Sequence, residues 1–217
     1  MLFNLKKSLV KIYLINCLTV FALVIPGAGV AVTSSQVLLV VGDSLSAGYG
    51  ISPEKNWVSL LNKRFTELSQ PMLVVNKSIS GATTQNGVDR LPKWLEEVHP
   101  THVVLALGSN DGLRGVSVSL IKNNLKKMIK MSEAQGAQVI LIGFLIPPNY
   151  GPDYTEAFKD IFSTVAKEQE VPLVPFLLEG IAHNRQYFQG DGLHPNEAAQ
   201  PILLENVWKI LAPALNL

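Results

Sequence analysis

The chain has almost no cysteine. Its single one, Cys17, sits in an apolar N-terminal stretch, and no thiol follows it. That excludes disulfide staples and a cysteine nucleophile from the rest of the chain. Cys17 is also unsuited to lipid attachment, because Asn16 before it is not small and few apolar residues precede it. Charge is equally scarce: 18 Lys and Arg face 17 Asp and Glu, for a formal net charge of +1. Such a balance leaves no electrostatic footprint for nucleic acid. Lys122, Lys126, Lys127 and Lys130 read instead as the solvated face of one helix. The histidines do not cluster: His99 and His102 flank Pro100-Thr101, and His183 stands in a polar loop without a ligand partner nearby. No metal site is expected from this pattern. Long hydrophobic runs are lacking too, since residues 12–25 are interrupted by Asn16 and Thr19 and are short for a membrane span.

That stretch has the grammar of a secretory signal peptide. Lys6, Lys7 and Lys11 precede it, Pro26-Gly27 ends it, and the small residues Ala28, Gly29 and Ala31 follow. Residues 1–31 are therefore expected to be a cleaved signal, and 32–217 one domain, in a periplasmic or secreted protein. An uncleaved anchor is the alternative; after cleavage no stable membrane insertion is expected.

Beyond residue 36, apolar runs alternate with helical periodicity. Strands are expected at 37–41, 72–75, 103–107, 139–144 and 173–176. Helices are expected from Ser52-Pro53, from Thr83 or Thr84, from about Ser119, from about Asp153 with Glu156 closing a capping box, and from Pro195, bent or delayed at Pro201. Pro92 should kink or restart the second of these. Alternation of this kind means an α/β fold: a parallel sheet of five strands with helices on both faces, joined by right-handed crossovers. Ligands of such folds bind beyond the carboxyl ends of the strands.

That rule selects the candidate residues. Ser44 follows the first strand, Gly81 the second and Asn110 the third, while Asp191 and His194 follow the fifth. All belong to one rim of the sheet. A serine hydroxyl needs a base to act as a nucleophile. His194 suits that role, and Asp191, three residues before it across a glycine turn, can fix its tautomer. The Ser44 N–H, the Gly81 N–H and the Asn110 side-chain amide can hold the negative charge that develops on an acyl carbonyl. Each piece taken singly has a purely structural reading: a helix cap at Asp43-Ser44, a turn at Gly81, a turn at 110–112, and a turn with helix cap at 191–195. Their shared placement favours the catalytic one.

The same residues carry a resemblance. GDSLSAGYG around Ser44, NKSISGATT around Gly81, GSND at Asn110 and DGLHP at Asp191 and His194 resemble the four blocks of the SGNH (GDSL) hydrolases. NDGLRG, PPNYG and HPNEAAQP are similar to its bacterial subgroup of multifunctional thioesterase I, lysophospholipase L and protease I arylesterases. The similarity runs over about 37–213. It implies a three-layer flavodoxin-like fold and a catalytic triad of Ser44, Asp191 and His194. It also implies an oxyanion hole of Ser44, Gly81 and Asn110, and activity without a metal or cofactor. Acyl esters, thioesters and lysophospholipids are the substrates it implies, and a monomer is expected. The sequence departs from the α/β-hydrolase elbow, because Gly42-Asp43-Ser44-Leu45-Ser46 lacks the second glycine. Leu145 stands where the subgroup usually has a basic residue, which bears on head-group preference.

Leu113, Val116, Ile146, Pro147 and Tyr150 follow the third and fourth strands and are expected to wall an acyl chain, with 111–116 as a mobile lid. A carbohydrate O-acetyl esterase would need a shorter, more polar pocket. A lipid-binding module without catalysis would have no use for the intact Ser44, Asp191 and His194.

Overall fold

The structure, a computed structural model, describes residues 36–70 and 72–217, so the expected signal peptide lies outside the described residues. Five parallel strands form one sheet: β1 (Gln36–Gly42), β2 (Met72–Asn76), β3 (His102–Ala106), β4 (Gln138–Ile142) and β5 (Leu173–Val174). Their order is β2-β1-β3-β4-β5, the flavodoxin-like arrangement. Every residue of β3 is buried, as a central parallel strand covered on both faces requires. A fully buried Val or Leu here contributes about 1.5–3 kcal/mol. The edge strand β2 is only half covered, and β5 is two residues long.

Seven helices accompany the sheet among the described residues: α1 (Ser44–Ala47), α2 (Trp57–Glu67), α3 (Thr84–Val98), α4 (Ser109–Leu113), α5 (Val118–Ala134), α6 (Pro152–Gln169) and α7 (Gln200–Ala214). Helices α2 and α7 pack together, and α3, α5 and α6 pack side by side. Phe65 meets the edge of Trp208 at 5.6 Å between ring centroids, with the Arg64 guanidinium over the same indole. Across the other group, Glu168 pairs with both Lys122 and Lys126, which gives these two of the four lysines a structural role. No described helix is long and apolar enough to cross a membrane.

Several boundaries differ from expectation for local reasons. Ser52-Pro53 opens only a 3-10 turn, and α2 begins at Trp57 because the Asn56 side chain caps Ser59 N–H. Helix α6 starts at Pro152 with Gly151 as its cap, so Asp153 lies inside the first turn and no capping box with Glu156 forms. Pro195 is held in a bridge to Phe188, and the last helix is delayed to Gln200 with Pro201 in its first turn. Helix α3 runs on through Pro92, entered through a capping box of Thr83 and Asn86. Residues 110–112, whose purely structural reading is a turn, lie in the short helix α4.

The order β2-β1-β3 means that the chain leaves β1 toward one neighbour and later returns to its other side. The crevice at such a reversal lies between the carboxyl ends of β1 and β3. Gly42 of β1 is in register with Ala106 of β3, so Ser44 and Asn110 emerge beside that crevice.

Candidate active site

Strand β1 ends at Gly42, and buried Asp43 caps the turn that follows by accepting the Leu45 N–H at 3.0 Å. This presents Ser44 at the start of α1, with its Oγ 2.9 Å from His194 Nε2. His194 arrives on a hairpin closed by the Phe188–Pro195 bridge. The tip of the hairpin is built by Asp191, whose Oδ1 accepts the N–H groups of Leu193 (2.9 Å) and His194 (3.0 Å). Its Oδ2 lies 2.7 Å from His194 Nδ1. The His194 N–H, then its imidazole, then the Leu193 N–H hold the Asp191 carboxyl well below the usual carboxylate range. An ionised Asp191 accepts from Nδ1–H, which leaves Nε2 as the acceptor for the Ser44 hydroxyl. The Tyr49 ring packs at 4.5 Å from the imidazole. Three residues from two loops far apart along the chain are therefore in one hydrogen-bonded line.

The three expected donors lie on the neighbouring turns. Gly81 adopts φ +78°, which suits a residue without Cβ, and among the described residues neither its N–H nor that of Ser44 has a hydrogen-bond partner. The Asn110 amide donates to Ala82 O at 3.1 Å and toward Asp43 Oδ2 at 3.4 Å. Two buried carboxylates frame this arrangement: Asp43, which is the helix cap that the sequence offers and also more than that, and Asp111. Asp43 Oδ2 accepts the Ser109 hydroxyl at 2.5 Å, tying the Ser44 turn to α4. Asp111 accepts from Thr84 Oγ1 at 2.6 Å and from Thr84 N–H at 2.8 Å, tying α4 to the Gly81 turn. Asn124 completes the second link by donating to Thr84 Oγ1 at 3.1 Å. Only the partners 27 and 66 residues away reveal these roles, so no local signal announces them.

Asp43 is fully buried, and no cation pairs with it among the described residues. Burial raises its pKa above the ordinary 3.8, against the lowering effect of the Ser109 hydroxyl, the Leu45 N–H and His194. An acid whose folded pKa is raised lends stability below the unfolded value, and that stability is lost as pH rises through the folded pKa. Asparagine has no charge to bury, so the melting temperature of Asp43→Asn relative to that of wild type is expected to rise between pH 4 and pH 8, whatever offset the altered hydrogen bonds to Ser109 and Asn110 impose at all pH values. The variant's kcat should fall roughly tenfold to a hundredfold, because the acceptor that orients Ser109 and Asn110 becomes a donor. Thermal denaturation across pH beside steady-state kinetics checks both halves.

The expected acyl-wall residues divide. Leu113, Val116 and Tyr150 are half-buried and Pro147 is exposed, as is Leu145. Ile146 is turned inward beneath α4. A Cβ at Gly112 would stand 2.6 Å from Phe158 and 2.7 Å from Ile146, so glycine is what lets α4 lie this close to the core. Segment 111–116, expected to be a lid, is held by Asp111, by the Tyr150 hydroxyl on Leu113 O (2.9 Å) and by the Tyr154 hydroxyl on Val116 O (2.7 Å). His102 is buried at the opposite end of the sheet beside Thr101 Oγ1, and burial lowers its pKa. Among the described residues no group of three or more His, Cys, Asp or Glu could hold a metal.

With this geometry in hand, the likeness to known proteins becomes specific. The chain is 48% identical over 182 residues to esterase TesA of Pseudomonas aeruginosa, covering 84% of this chain and 90% of that protein. It is 41% identical over 183 residues to thioesterase 1/protease 1/lysophospholipase L1 of Escherichia coli, covering 84% and 86%. The crystal structure of the psychrotrophic esterase EstA from Pseudoalteromonas sp., inhibited by monoethylphosphonate, superposes with a TM-score of 0.80 at 37% identity, covering 84% of this chain and all of that one. Residues 40–201 match the GDSL-like lipase/acylhydrolase family, and the chain belongs to that family.

Proposed function

We propose that this esterase hydrolyses acyl esters and thioesters, lysophospholipids among them, through a covalent acyl-enzyme on Ser44. The observation that carries the reading is the unbroken line from the Asp191 carboxylate through both imidazole nitrogens to the Ser44 hydroxyl. His194 Nε2 takes the hydroxyl proton as Oγ bonds to the acyl carbon. The oxyanion falls to the Ser44 and Gly81 N–H groups and the Asn110 amide. As the tetrahedral intermediate collapses, the leaving alkoxide or thiolate takes the proton from His194. Water then attacks the acyl carbon as His194 takes its proton, and the Oγ–acyl bond breaks as His194 returns that proton to Ser44 Oγ, releasing the carboxylic acid and the free serine. Every step uses protein groups and water alone.

The substrate classes rest on the relatives, which are an esterase and a thioesterase/lysophospholipase. Leu113, Val116, Pro147 and Tyr150 are the proposed contacts for the acyl chain, with Ile146 supporting them from below. The leader pattern of residues 1–31 supports an exported, periplasmic or secreted enzyme. A site assembled within one chain supports a monomer as the working unit.

The test is a series of aryl esters and acyl thioesters from acetyl to palmitoyl, with a lysophospholipid, alongside labelling by a fluorophosphonate. Turnover of medium and long acyl groups, with the label found on Ser44 by peptide mass spectrometry, is the expected result. Turnover confined to acetyl esters would favour a carbohydrate O-acetyl esterase. A folded protein that neither turns over nor labels would favour a lipid-binding module.

A further inference from the structure

Ser44 and His194 are 150 residues apart, and their 2.9 Å contact needs something to hold the two loops in place. Three side chains stitch the segment after Ser44 to the segment around His194. Glu197 meets Ser52 at 3.2 Å and Lys55 at 2.6 Å, on the surface. Gln200 accepts the Trp57 N–H at 3.0 Å, deeper in the fold. Neither touches a residue adjacent to the triad. The third, Gln189, does so on both sides.

The Gln189 amide nitrogen donates to Tyr49 O at 2.7 Å and to Pro195 O at 3.1 Å. Its own N–H donates to His194 O at 2.8 Å, and its carbonyl accepts the Gly192 N–H at 3.0 Å. One residue thus fixes the backbone before, at and after the imidazole, and fastens it to the turn that follows α1. Tyr49, the residue it grips there, is the one whose ring lies against His194. The fit is close: a Cβ on Gly50 would stand 2.2 Å from Gln189 Oε1.

We infer that Gln189 is a positioning residue of the triad: its single amide sets the distance between the Ser44 turn and the His194 hairpin. It touches no reacting atom, and the inference rests on the proposed roles of Ser44, His194 and Asp191. Proton transfer between Oγ and Nε2 depends steeply on their separation, so a small slip of the hairpin is felt in the chemical step more than in substrate binding.

Four variants test it. Gln189→Met keeps the length and removes both donors. Gln189→Glu keeps the shape and replaces the donating NH₂ by a second acceptor. Glu197→Gln weakens the exposed pair to Lys55, a stitch of the same two segments that is worth little by itself. Ser44→Ala reports on the underlying reading. The measurements are kcat, KM, the rate of Ser44 labelling by a fluorophosphonate, and the thermal midpoint. Gln189→Met is expected to lower kcat and the labelling rate together, roughly tenfold to a hundredfold, with KM nearly unchanged. Gln189→Glu should move both in the same direction, and it carries the test if Gln189→Met does not fold. Glu197→Gln should keep both within about twofold of wild type. A folded Gln189→Met with wild-type kcat and labelling would overturn the inference. So would a loss in Glu197→Gln as large as that in Gln189→Met, since general stitching would then suffice. Full turnover by Ser44→Ala would bring down the triad itself, a result distinct from either.

Discussion

Replacing Ser44 by alanine is expected to lower kcat on any acyl ester or thioester by roughly 10⁶-fold while leaving KM close to wild type. The size follows from what the hydroxyl alone supplies. Without Oγ no acyl-enzyme forms, and His194 Nε2 loses the group from which it takes a proton. The backbone donors and the acyl-binding surface remain, so a residual rate of about 10³ over water is expected from them. The fold should not notice the change. Among the described residues the Ser44 side chain hydrogen-bonds only to His194, and the cap on α1 comes from Asp43. A surface-like stability change of about 0.5 kcal/mol or less is therefore expected. Steady-state kinetics on protein purified from a host lacking its own esterases, with denaturation curves beside them, decide the matter. A variant that keeps even a hundredth of wild-type turnover would mean that another group attacks the carbonyl.

The ease with which this serine is found contrasts with how much around it stays hidden. Ser44, Gly81, Asn110, Asp191 and His194 are legible because a parallel sheet gathers the ends of its strands on one rim, and each lies in the connection that follows such an end. The five strands are legible for a related reason: strands buried on both faces are continuous apolar runs, as 38–41 and 103–106 show. Helix starts are less so. Asp153 has the chemistry of a cap, but Pro152 beside extended Gly151 begins the helix first. The site's frame was not legible at all. Asp43, Asp111 and Gln189 act on partners 66, 27 and 140 residues away, and nothing in their neighbours along the chain distinguishes them from a helix cap, a turn residue and a loop glutamine. Apolar wall residues sit between these extremes. Ile146 shares the hydrophobicity of its neighbours, and only its burial beneath α4 shows that it supports the surface rather than forming it.

Asp191→Asn is expected to cost about 10⁴-fold in kcat, and the hairpin geometry explains why so small a change should do so much. The aspartate uses its two oxygens differently. Oδ1 is claimed by the N–H groups of Leu193 and His194, and Oδ2 faces His194 Nδ1. An asparagine must leave its only oxygen with the two backbone donors, because turning the amide over would set its NH₂ against both. Its NH₂ then faces Nδ1 and compels that nitrogen to accept. The ring proton moves to Nε2, where it points at the Ser44 oxygen, and the base is gone. Asp191→Asn is thus expected to be no better than Asp191→Ala, which leaves the imidazole free to choose its tautomer. The pH behaviour follows from the same contacts. A carboxyl held below its ordinary range contributes stability above the unfolded pKa of about 3.9, and loses it only as pH falls through the depressed folded value. Protonation of Asp191 should accordingly leave no mark on the wild-type pH–rate profile between pH 5 and 8. Kinetics of both variants across that range, with ¹⁵N chemical shifts of His194 to report which nitrogen carries the proton, test the argument. An Nδ1–H imidazole in Asp191→Asn, or a loss smaller than about tenfold, would contradict it.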